Sequence, residues 1–220
     1  MKTESHDIKI SEWIDEVSLA GCTVKEIKTV QEIHKKNGDL LFALLDANVI
    51  SPEGTRLPNI VFIRGHACVI VPLIKNKLTG EERFLMVSQR RIGNGQLSLE
   101  FPAGMLDNDT KDPAGVAIRE LSEETGLILT REEIFPLSNQ KLYSSAGASD
   151  EGIYLFGCIK ELDDNAYRSL ENRTGGNVDE NEHITVNLIS REDAMKRINS
   201  IQAMLGFFLF DTYRTSLAQS

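Results

Sequence analysis

The fold of this chain is decided by Arg119-Glu120-Leu121-Ser122-Glu123-Glu124-Thr125-Gly126. Residues three and four apart share one face of an α-helix, so the three glutamates would lie along the same side. Neighbouring carboxylates repel one another, and Arg119 can pair with only one of them, Glu123. Oxygen ligands at this spacing suit Mg²⁺ or Mn²⁺. The stretch therefore predicts a helix that binds a divalent cation, with a solvated acidic helix face as the alternative.

The residues around this stretch predict where the helix begins and ends. Asp112 can cap the N-terminus, Pro113 suits the first helical position, and Gly126 suits the left-handed residue after the last turn. These residues predict a helix over 113–125. Upstream, Glu100-Phe101-Pro102-Ala103-Gly104 ends a strand and opens the loop that leads into this helix, so the Ala103 carbonyl could point into the same site.

Composition limits the classes of protein that the chain can belong to. The 220 residues include 24 Lys and Arg against 33 Asp and Glu, a net charge of −9. Such a surface repels polyphosphate backbones, which disfavours nucleic acid as a partner. The three separate cysteines form no metal-ligand cluster and indicate reduced thiols. With no secretory signal and no apolar run long enough to span a bilayer, we expect a cytoplasmic protein with no membrane partner.

The chain divides at a segment rich in turn-forming residues, 51–59. Residues 1–60 are predicted to be a small N-terminal β region of two or three strands, with a hairpin turn at Asn37-Gly38. Residues 61–220 alternate β-rich runs with the predicted helix and end in two helices, over 191–200 and 203–217. This order predicts an α/β or α+β sandwich. The aromatic group at 207–210 is predicted to lie in the core or an interface.

Gly104 and the stretch from Arg119 to Leu127 resemble the signature of the Nudix hydrolases, a glycine and a spacer followed by R-E-U-x-E-E-x-G-U, where U is aliphatic. The resemblance implies an α/β/α sandwich with a mixed sheet, and hydrolysis of a nucleoside diphosphate linked to another group. It implies Mg²⁺, with Mn²⁺ as a substitute, held by Glu120 and Glu124 with Glu123 close by. Arg119 would orient the acidic side chains, and the Ala103 carbonyl would complete the metal shell.

The spacer departs from the usual signature by one residue. Gly104 and Arg119 are fifteen positions apart where fourteen is usual, and the first glutamate of the signature falls on Thr110, Lys111 and Asp112. This longer loop, which begins Gly104-Met105-Leu106-Asp107, resembles that of a plant-like ADP-sugar diphosphatase branch.

Four further segments resemble the ADP-ribose and ADP-sugar diphosphatase group. They are Arg64–Ala67, Gln89–Ile92, Ser145–Glu151 and Asp179–Ile184. In that group the arginine corresponding to Arg91 meets the substrate phosphate. The last segment carries the catalytic base, either Glu180 or Glu182, and a further metal ligand, for which we select Glu182.

The resemblance gives three sets of expected site residues. The catalytic set is Glu180, Glu182, Arg119 and Glu123. The metal set is Ala103, Glu120, Glu124, Glu123 and Glu182. The substrate-binding set is Arg64, Arg91, Glu100, Gly104, Met105, Gly147 and Glu151.

The predicted activity is Mg²⁺-dependent hydrolysis of ADP-ribose or a related ADP-sugar to AMP and a sugar phosphate. Alternatives are a UDP-sugar or GDP-mannose diphosphatase, and a sensor that binds nucleotide sugars without hydrolysing them. All three signature glutamates are present, which disfavours the sensor. By resemblance we also expect a homodimer in which residues 1–60 reach the partner and help to form the nucleotide pocket.

Overall fold

The structure is a computed structural model, and it describes residues 7–107, 109–171, 173–175 and 183–219. The helices are α1 (Ile8–Leu19), α2 (Pro113–Thr125), α3 (Asp164–Ser169), α4 (Arg191–Arg197) and α5 (Ile201–Leu217), with a 3₁₀ turn at Arg131–Glu133. The strands are β1 (Thr23–His34), β2 (Leu40–Ile50), β3 (Ile60–Ile63), β4 (Ala67–Asn76), β5 (Glu82–Arg90), β6 (Leu97–Glu100), β7 (Ala103–Met105), β8 (Ile134–Pro136), β9 (Leu142–Tyr143), β10 (Gly152–Leu162), β11 (Thr174–Gly175) and β12 (Ile184–Ile189).

The chain forms two compact units, and the first contains Met1–His66 together with Leu142–Gly152. Its sheet has the order β1-β2-β3, and both pairs of neighbours are antiparallel. The predicted Asn37-Gly38 turn is confirmed, since Gly38 has a φ of 95° and His34 pairs with Leu40 across it. Helix α1, which the sequence did not predict, packs Ile10 and Trp13 into the small core of this unit.

The second unit, Ala67–Lys141 with Ile153–Ser220, is built on a mixed sheet. The order is β11-β12-β5-β4-β10-β8, with β6 paired to β5 and β7 paired to β4. Strand β10 runs parallel to β4, whereas the other pairs described in this unit are antiparallel. Because β4 and β10 are parallel, their connection must cross over the sheet, and the crossing chain includes α2.

Helices cover both faces of β4, whose side chains alternate between the two sides. Cys68 and Ile70 belong to the same core cluster as Val116 and Leu121 of α2. On the other face, a Cβ on Gly206 of α5 would lie 3.0 Å from Val71. The predicted α/β/α sandwich with a mixed sheet is therefore confirmed. Among the described residues, no helix has both the length and the apolar character needed to cross a membrane.

The C-terminal helices differ slightly from their predicted bounds. Helix α4 ends at Arg197, and α5 begins at Ile201, where the Ser200 side chain accepts the Ala203 N–H. Phe207 and Phe210 are fully buried and meet Phe84 edge to face, whereas Phe208 is 65% exposed. The core prediction therefore holds for two of these three aromatic residues.

Candidate active site

Helix α2 begins and ends as its sequence predicts. The Asp112 carboxylate accepts the Gly115 N–H at 3.0 Å, Pro113 occupies the first turn, and Gly126 has a φ of 75°. The Gly126 N–H donates to the Ser122 carbonyl, which closes the last turn. The helix that carries the glutamates is therefore fixed at both ends by local interactions.

Strand β7 brings the loop before α2 against the central strand β4. Ala103 pairs with Val69, Gly104 with Cys68 and Met105 with Ala67 in an antiparallel ladder. The loop is thus anchored by backbone hydrogen bonds to a buried strand. This pairing places Ala103, Gly104 and Met105 in one row at the candidate site.

The carboxyl group of Glu120 packs directly against Gly104. A Cβ added to Gly104 would lie 2.1 Å from Glu120 Cδ and 2.4 Å from Glu120 Oε1. Real Cβ atoms do not approach so closely, so a glycine is required for this contact. The close approach brings together two residues that lie sixteen positions apart in the sequence.

The three glutamates of α2 differ in exposure. Glu124 is buried, Glu120 is half-buried, and Glu123 is exposed. Burial, helped by the charges of Glu120 and Glu124 and opposed by a hydrogen bond to the Gly104 carbonyl, raises the pKa of the Cys68 thiol to about 12. Both carboxylates therefore act on the same buried thiol. Glu120 and Glu124 are thus the two less exposed glutamates of α2, called the inner pair below, and Glu123 is the exposed one.

This inner pair fits the donor set expected for a divalent cation, since hard carboxylate oxygens suit Mg²⁺ and Mn²⁺. Within the described residues, no group of three or more His, Cys, Asp or Glu side chains is gathered as a complete metal site. The predicted third acid, Glu182, and the alternative base, Glu180, lie outside the described residues. The described chain thus supplies Glu120, Glu124 and the neighbouring backbone of β7.

Arg119 pairs with a residue that the sequence analysis did not single out. Its guanidinium donates to the Asp109 carboxylate at 3.0 Å. This hydrogen bond raises the pKa of Arg119, and the charges of Glu120 and Glu123 raise it further. The expected partner, Glu123, therefore contributes through its charge, while Asp109 in the longer loop accepts the hydrogen bond. In the sequence, this partner was indicated by nothing more than an acidic residue in that loop.

Arg91, in the turn after β5, and Glu100, the last residue of β6, are two predicted substrate-binding residues, and they form a forked ion pair. Arg91 Nε lies 3.2 Å from both carboxylate oxygens, and a terminal nitrogen of Arg91 lies 2.7 Å from Glu100 Oε2. Burial opposes ionisation of Glu100, but the hydrogen bond and charge of Arg91 outweigh it and hold the pKa of Glu100 below its usual value. The pair fixes an arginine whose side chain is still 43% exposed.

The first unit contains a second group of predicted substrate-binding residues. Arg64 forms an ion pair with Glu151 at 3.0 Å, and Glu151 also accepts the Ser144 hydroxyl at 2.8 Å. Arg64 Nε is buried and meets no hydrogen-bond acceptor within the described residues. Gly147 is exposed, with open space where a side chain would be. These residues form a half-exposed arginine site next to an open loop.

Strand β11 packs against the C-terminal turn of α2. A Cβ on Gly175 would lie 2.2 Å from the Glu124 carbonyl oxygen, and one on Gly126 would lie 2.1 Å from the Arg173 guanidinium. Gly175 pairs with Ile184 of β12. The contact between β11 and α2 therefore depends on Gly175, which was not singled out in the sequence, whereas at Gly126 the neighbour is the end of a flexible side chain.

Three further interactions within the two units were also not predicted. Arg131 donates to both carboxylate oxygens of Asp112, and this hydrogen bond holds the pKa of Asp112 below its usual value. Cys68 donates to Gly104, and Asp150 accepts two backbone N–H groups. These partners come from remote parts of the chain, so no local pattern indicates them.

A helix with two inward carboxylates, a glycine-dependent loop and an α/β/α sandwich together define a family of proteins. The NUDIX domain model matches residues 65–204, and the chain belongs to this family. The described geometry agrees with that assignment, since α2 and the loop before it form its loop–helix signature.

Comparison with characterised proteins gives more particular similarities. The chain is 29% identical over 193 residues to Nudix hydrolase 14, chloroplastic, of Arabidopsis thaliana, covering 84% of this chain and 61% of that protein. It is 32% identical over 139 residues to the ADP-ribose pyrophosphatase of Escherichia coli K12, covering 61% of this chain and 59% of that protein. The chain thus matches about three fifths of the length of these relatives.

The structural comparison supports the same fold. The crystal structure of an ADP compounds hydrolase superposes with a TM-score of 0.60 at 16% identity, and the match covers 90% of this chain and 97% of the other. At this identity the likeness shows the fold alone.

Proposed function

We propose that this protein hydrolyses the diphosphate bond of ADP-ribose or a related ADP-sugar, releasing AMP and a sugar phosphate. The observation that carries the proposal is the contact of Glu120 with Gly104 beside the buried Glu124, because it assembles the Nudix carboxylates against their loop. The names of the bacterial and plant relatives support the reaction class. The segments around Arg64, Arg91 and Glu151 favour an ADP-sugar within that class.

Glu120 and Glu124 are proposed as the carboxylate ligands of the cation, with the Ala103 carbonyl beside them. A bound Mg²⁺ or Mn²⁺ would neutralise the anionic diphosphate oxygens, which otherwise repel the attacking water. The antiparallel pairing of β7 with β4 holds Ala103 in place for this role. Arg119, hydrogen-bonded to Asp109, would keep a positive charge beside Glu120 and Glu123.

A carboxylate is proposed as the base that accepts the proton of the attacking water, and both Glu180 and Glu182 stay candidates. Glu182 is also the proposed third acidic ligand. Support comes from the described residues on either side, since Gly175 contacts the backbone of Glu124 and Ile184 pairs with Gly175. The segment that carries the acids therefore leaves and rejoins the described chain beside α2.

The arginines are proposed to bind the diphosphate. Arg91 is preorganised by its fork to Glu100, and a guanidinium held in this way loses little conformational entropy on meeting a phosphate. Arg64 carries a positive charge on a side chain that is 42% exposed, which suits an anion. Glu100, Glu151, Gly104, Met105 and Gly147 complete the proposed substrate set.

A homodimer and a cytoplasmic location remain proposals as well. The long strand β1 is exposed along most of its length, and Val30 and Ile33 are about half exposed. An exposed edge strand with apolar side chains is a surface that a second copy can cover. Sedimentation at assay concentration tests the dimer, and a strictly monomeric active protein would contradict it. The plant relative is named chloroplastic, so fractionation of the source cells must decide the compartment.

The proposed reaction is tested by a panel of nucleotide sugars assayed with and without Mg²⁺, scoring release of the nucleoside monophosphate. ADP-ribose and ADP-glucose are expected to be hydrolysed faster than UDP-glucose and GDP-mannose, and chelation by EDTA is expected to stop the reaction. Preferred hydrolysis of UDP-glucose or GDP-mannose would instead support the alternative substrates. Tight binding of ADP-ribose without hydrolysis would support the sensor.

A further inference from the structure

Asp150 is a buried carboxylate that holds the backbone of the turn between β3 and β4. It is 6% exposed, and its two oxygens accept the Arg64 N–H at 2.8 Å and the Gly65 N–H at 3.0 Å. Burial raises the pKa of Asp150, although the two backbone hydrogen bonds oppose the rise. A carboxylate that satisfies two adjacent N–H groups fixes the backbone of both residues.

The turn that Asp150 holds has little conformational freedom. Gly65 has a φ of 83°, and a Cβ at this position would lie 3.2 Å from the aliphatic stem of the buried Lys9. Both the backbone conformation and the packing therefore call for glycine. The direction in which the Arg64 side chain leaves the turn is set by this restricted backbone.

The segment that carries Asp150 is itself fastened beside the same turn. The Phe62 N–H donates to Ala148, the Asp150 N–H donates to Phe62, and the Gly152 N–H donates to His66 Nδ1. Arg64 and Glu151 then meet as an ion pair at 3.0 Å, with Glu151 next in sequence to Asp150. Asp150 thus joins the backbones from which both members of the pair project.

We propose that Asp150 is a positioning residue for substrate binding, which orients Arg64 and its partner Glu151 by fixing the Arg64-Gly65 backbone. The proposal rests on the proposed function, in which Arg64 contacts the substrate diphosphate. Asp150 acts through Arg64, so its contribution to substrate affinity depends on the presence of the Arg64 side chain. A residue with a general structural influence on the pocket would change affinity to the same extent with or without that side chain.

A double-mutant cycle separates these two roles. The variants are Asp150→Asn, Arg64→Ala and the two combined. Asparagine is close to isosteric, but its NH₂ group cannot accept the second backbone N–H. The control is Asp46→Asn, since Asp46 lies in the same unit and accepts a hydrogen bond from Asn59 at 2.7 Å. The readout is the Kd for an ADP-ribose analogue with a methylene in place of the bridging oxygen, with KM and kcat for ADP-ribose measured in parallel.

Asp150→Asn and Arg64→Ala are each expected to raise Kd and KM about tenfold, while kcat changes little. In the Arg64→Ala background, Asp150→Asn is expected to add less than about twofold. Asp46→Asn is expected to leave Kd unchanged. If Asp150→Asn does not fold, Asp150→Glu enters the same cycle, because it keeps the charge but displaces both oxygens.

If the two substitutions have fully additive effects on the binding free energy, the positioning role would be overturned while the proposed function stays in place. An unchanged Kd in Arg64→Ala would also overturn it, because Arg64 would then not be a substrate contact. Failure of the wild-type protein to bind the analogue and to hydrolyse any ADP-sugar would remove the proposed function and the inference together.

Discussion

Glu120 and Gly104 are in direct contact: the carboxyl carbon of Glu120 lies 2.1 Å from the point where a Cβ on Gly104 would be. The contact joins the helix that carries the proposed metal ligands to the loop that β7 anchors on β4. A methyl group at position 104 cannot be placed without moving the Glu120 side chain. The position of this carboxylate is therefore tied to the absence of a side chain sixteen positions upstream.

Gly104→Ala is expected to lower kcat/KM for ADP-ribose about 100-fold, because a proposed ligand would be displaced by about 1 Å or more. The Mg²⁺ concentration needed for half-maximal rate is expected to rise as well. Steady-state release of AMP across a Mg²⁺ titration measures both quantities. Gly93→Ala is the matched control, since nothing lies within 4 Å of a Cβ at that position. Wild-type kinetics in Gly104→Ala would show that Glu120 is not a ligand.

Gly175→Ala is expected to separate β11 from the last turn of α2, since its methyl group would lie 2.2 Å from the Glu124 carbonyl oxygen. A backbone atom in a helix cannot easily yield, so we expect a loss of about 1–3 kcal/mol in the free energy of unfolding. Urea unfolding of Gly175→Ala and Gly93→Ala measures the difference. Equal stability of the two variants would contradict the close contact of β11 with α2.

Asp112→Ala is expected to lower the free energy of unfolding by about 1 kcal/mol at neutral pH, through loss of the cap of α2. The Arg131 hydrogen bond holds the pKa of Asp112 below its usual 3.8, so the wild-type carboxylate stabilises the fold above that value. This stabilisation is lost as the pH falls through the lowered pKa.

The gap between wild type and Asp112→Ala should therefore be constant near neutrality and close only in acid, below the pH range in which free aspartate titrates. Urea unfolding across the acid range measures it. Asp163→Ala, which removes the cap of α3, is the control for a cap without an arginine fork. A gap that closes well above pH 4 would contradict the lowered pKa.

Arg91→Ala is expected to weaken substrate binding and also to leave Glu100 without its ion-pair partner. In the wild type, Arg91 holds the pKa of Glu100 below its usual 4.5. In the variant, the remaining burial would raise this pKa above 4.5. Ionising Glu100 would thus cost stability in the variant, and its deficit relative to wild type should grow as the pH rises through that value, to about 2 kcal/mol near neutrality.

The double variant Arg91→Ala/Glu100→Gln separates stability from binding. It is expected to recover part of the lost stability, because no buried charge remains, but not the KM for ADP-ribose. Urea unfolding across pH and steady-state kinetics measure the two effects. A stability deficit in Arg91→Ala that does not change with pH would contradict the proposed electrostatic role of the pair.

The parts of the fold that follow from local chemistry could be predicted from the sequence. Helix α2 was bounded correctly because Asp112, Pro113 and Gly126 act on the residues next to them. The Asn37-Gly38 turn is local in the same way. The central strands were recognisable because β4 is buried and apolar over most of its length and β5 has a buried apolar run at 84–87.

The parts that depend on remote partners could not be predicted. Helix α1 is the exception, because its local signals were present and were missed: Asp7 accepts the Lys9 N–H as its cap, and Ile10, Trp13 and Ile14 follow helical spacing. Nothing near Asp150 in sequence indicates Arg64 and Gly65 as its partners, and Arg119 meets Asp109 where the helix spacing indicated Glu123. The carboxylates were predicted as a group of three, but only burial in the folded chain separates Glu124 and Glu120 from Glu123.

The most direct measurement is single-turnover release of AMP from ADP-ribose by wild type and Glu124→Gln, each at saturating Mg²⁺. Glutamine keeps the size of the side chain and removes its charge, so folding, checked by thermal unfolding, should be preserved. The rate is expected to fall by about three orders of magnitude, since charge neutralisation of the diphosphate is worth several kcal/mol. A folded Glu124→Gln protein that releases AMP at the wild-type rate would contradict the role of the α2 carboxylates in catalysis.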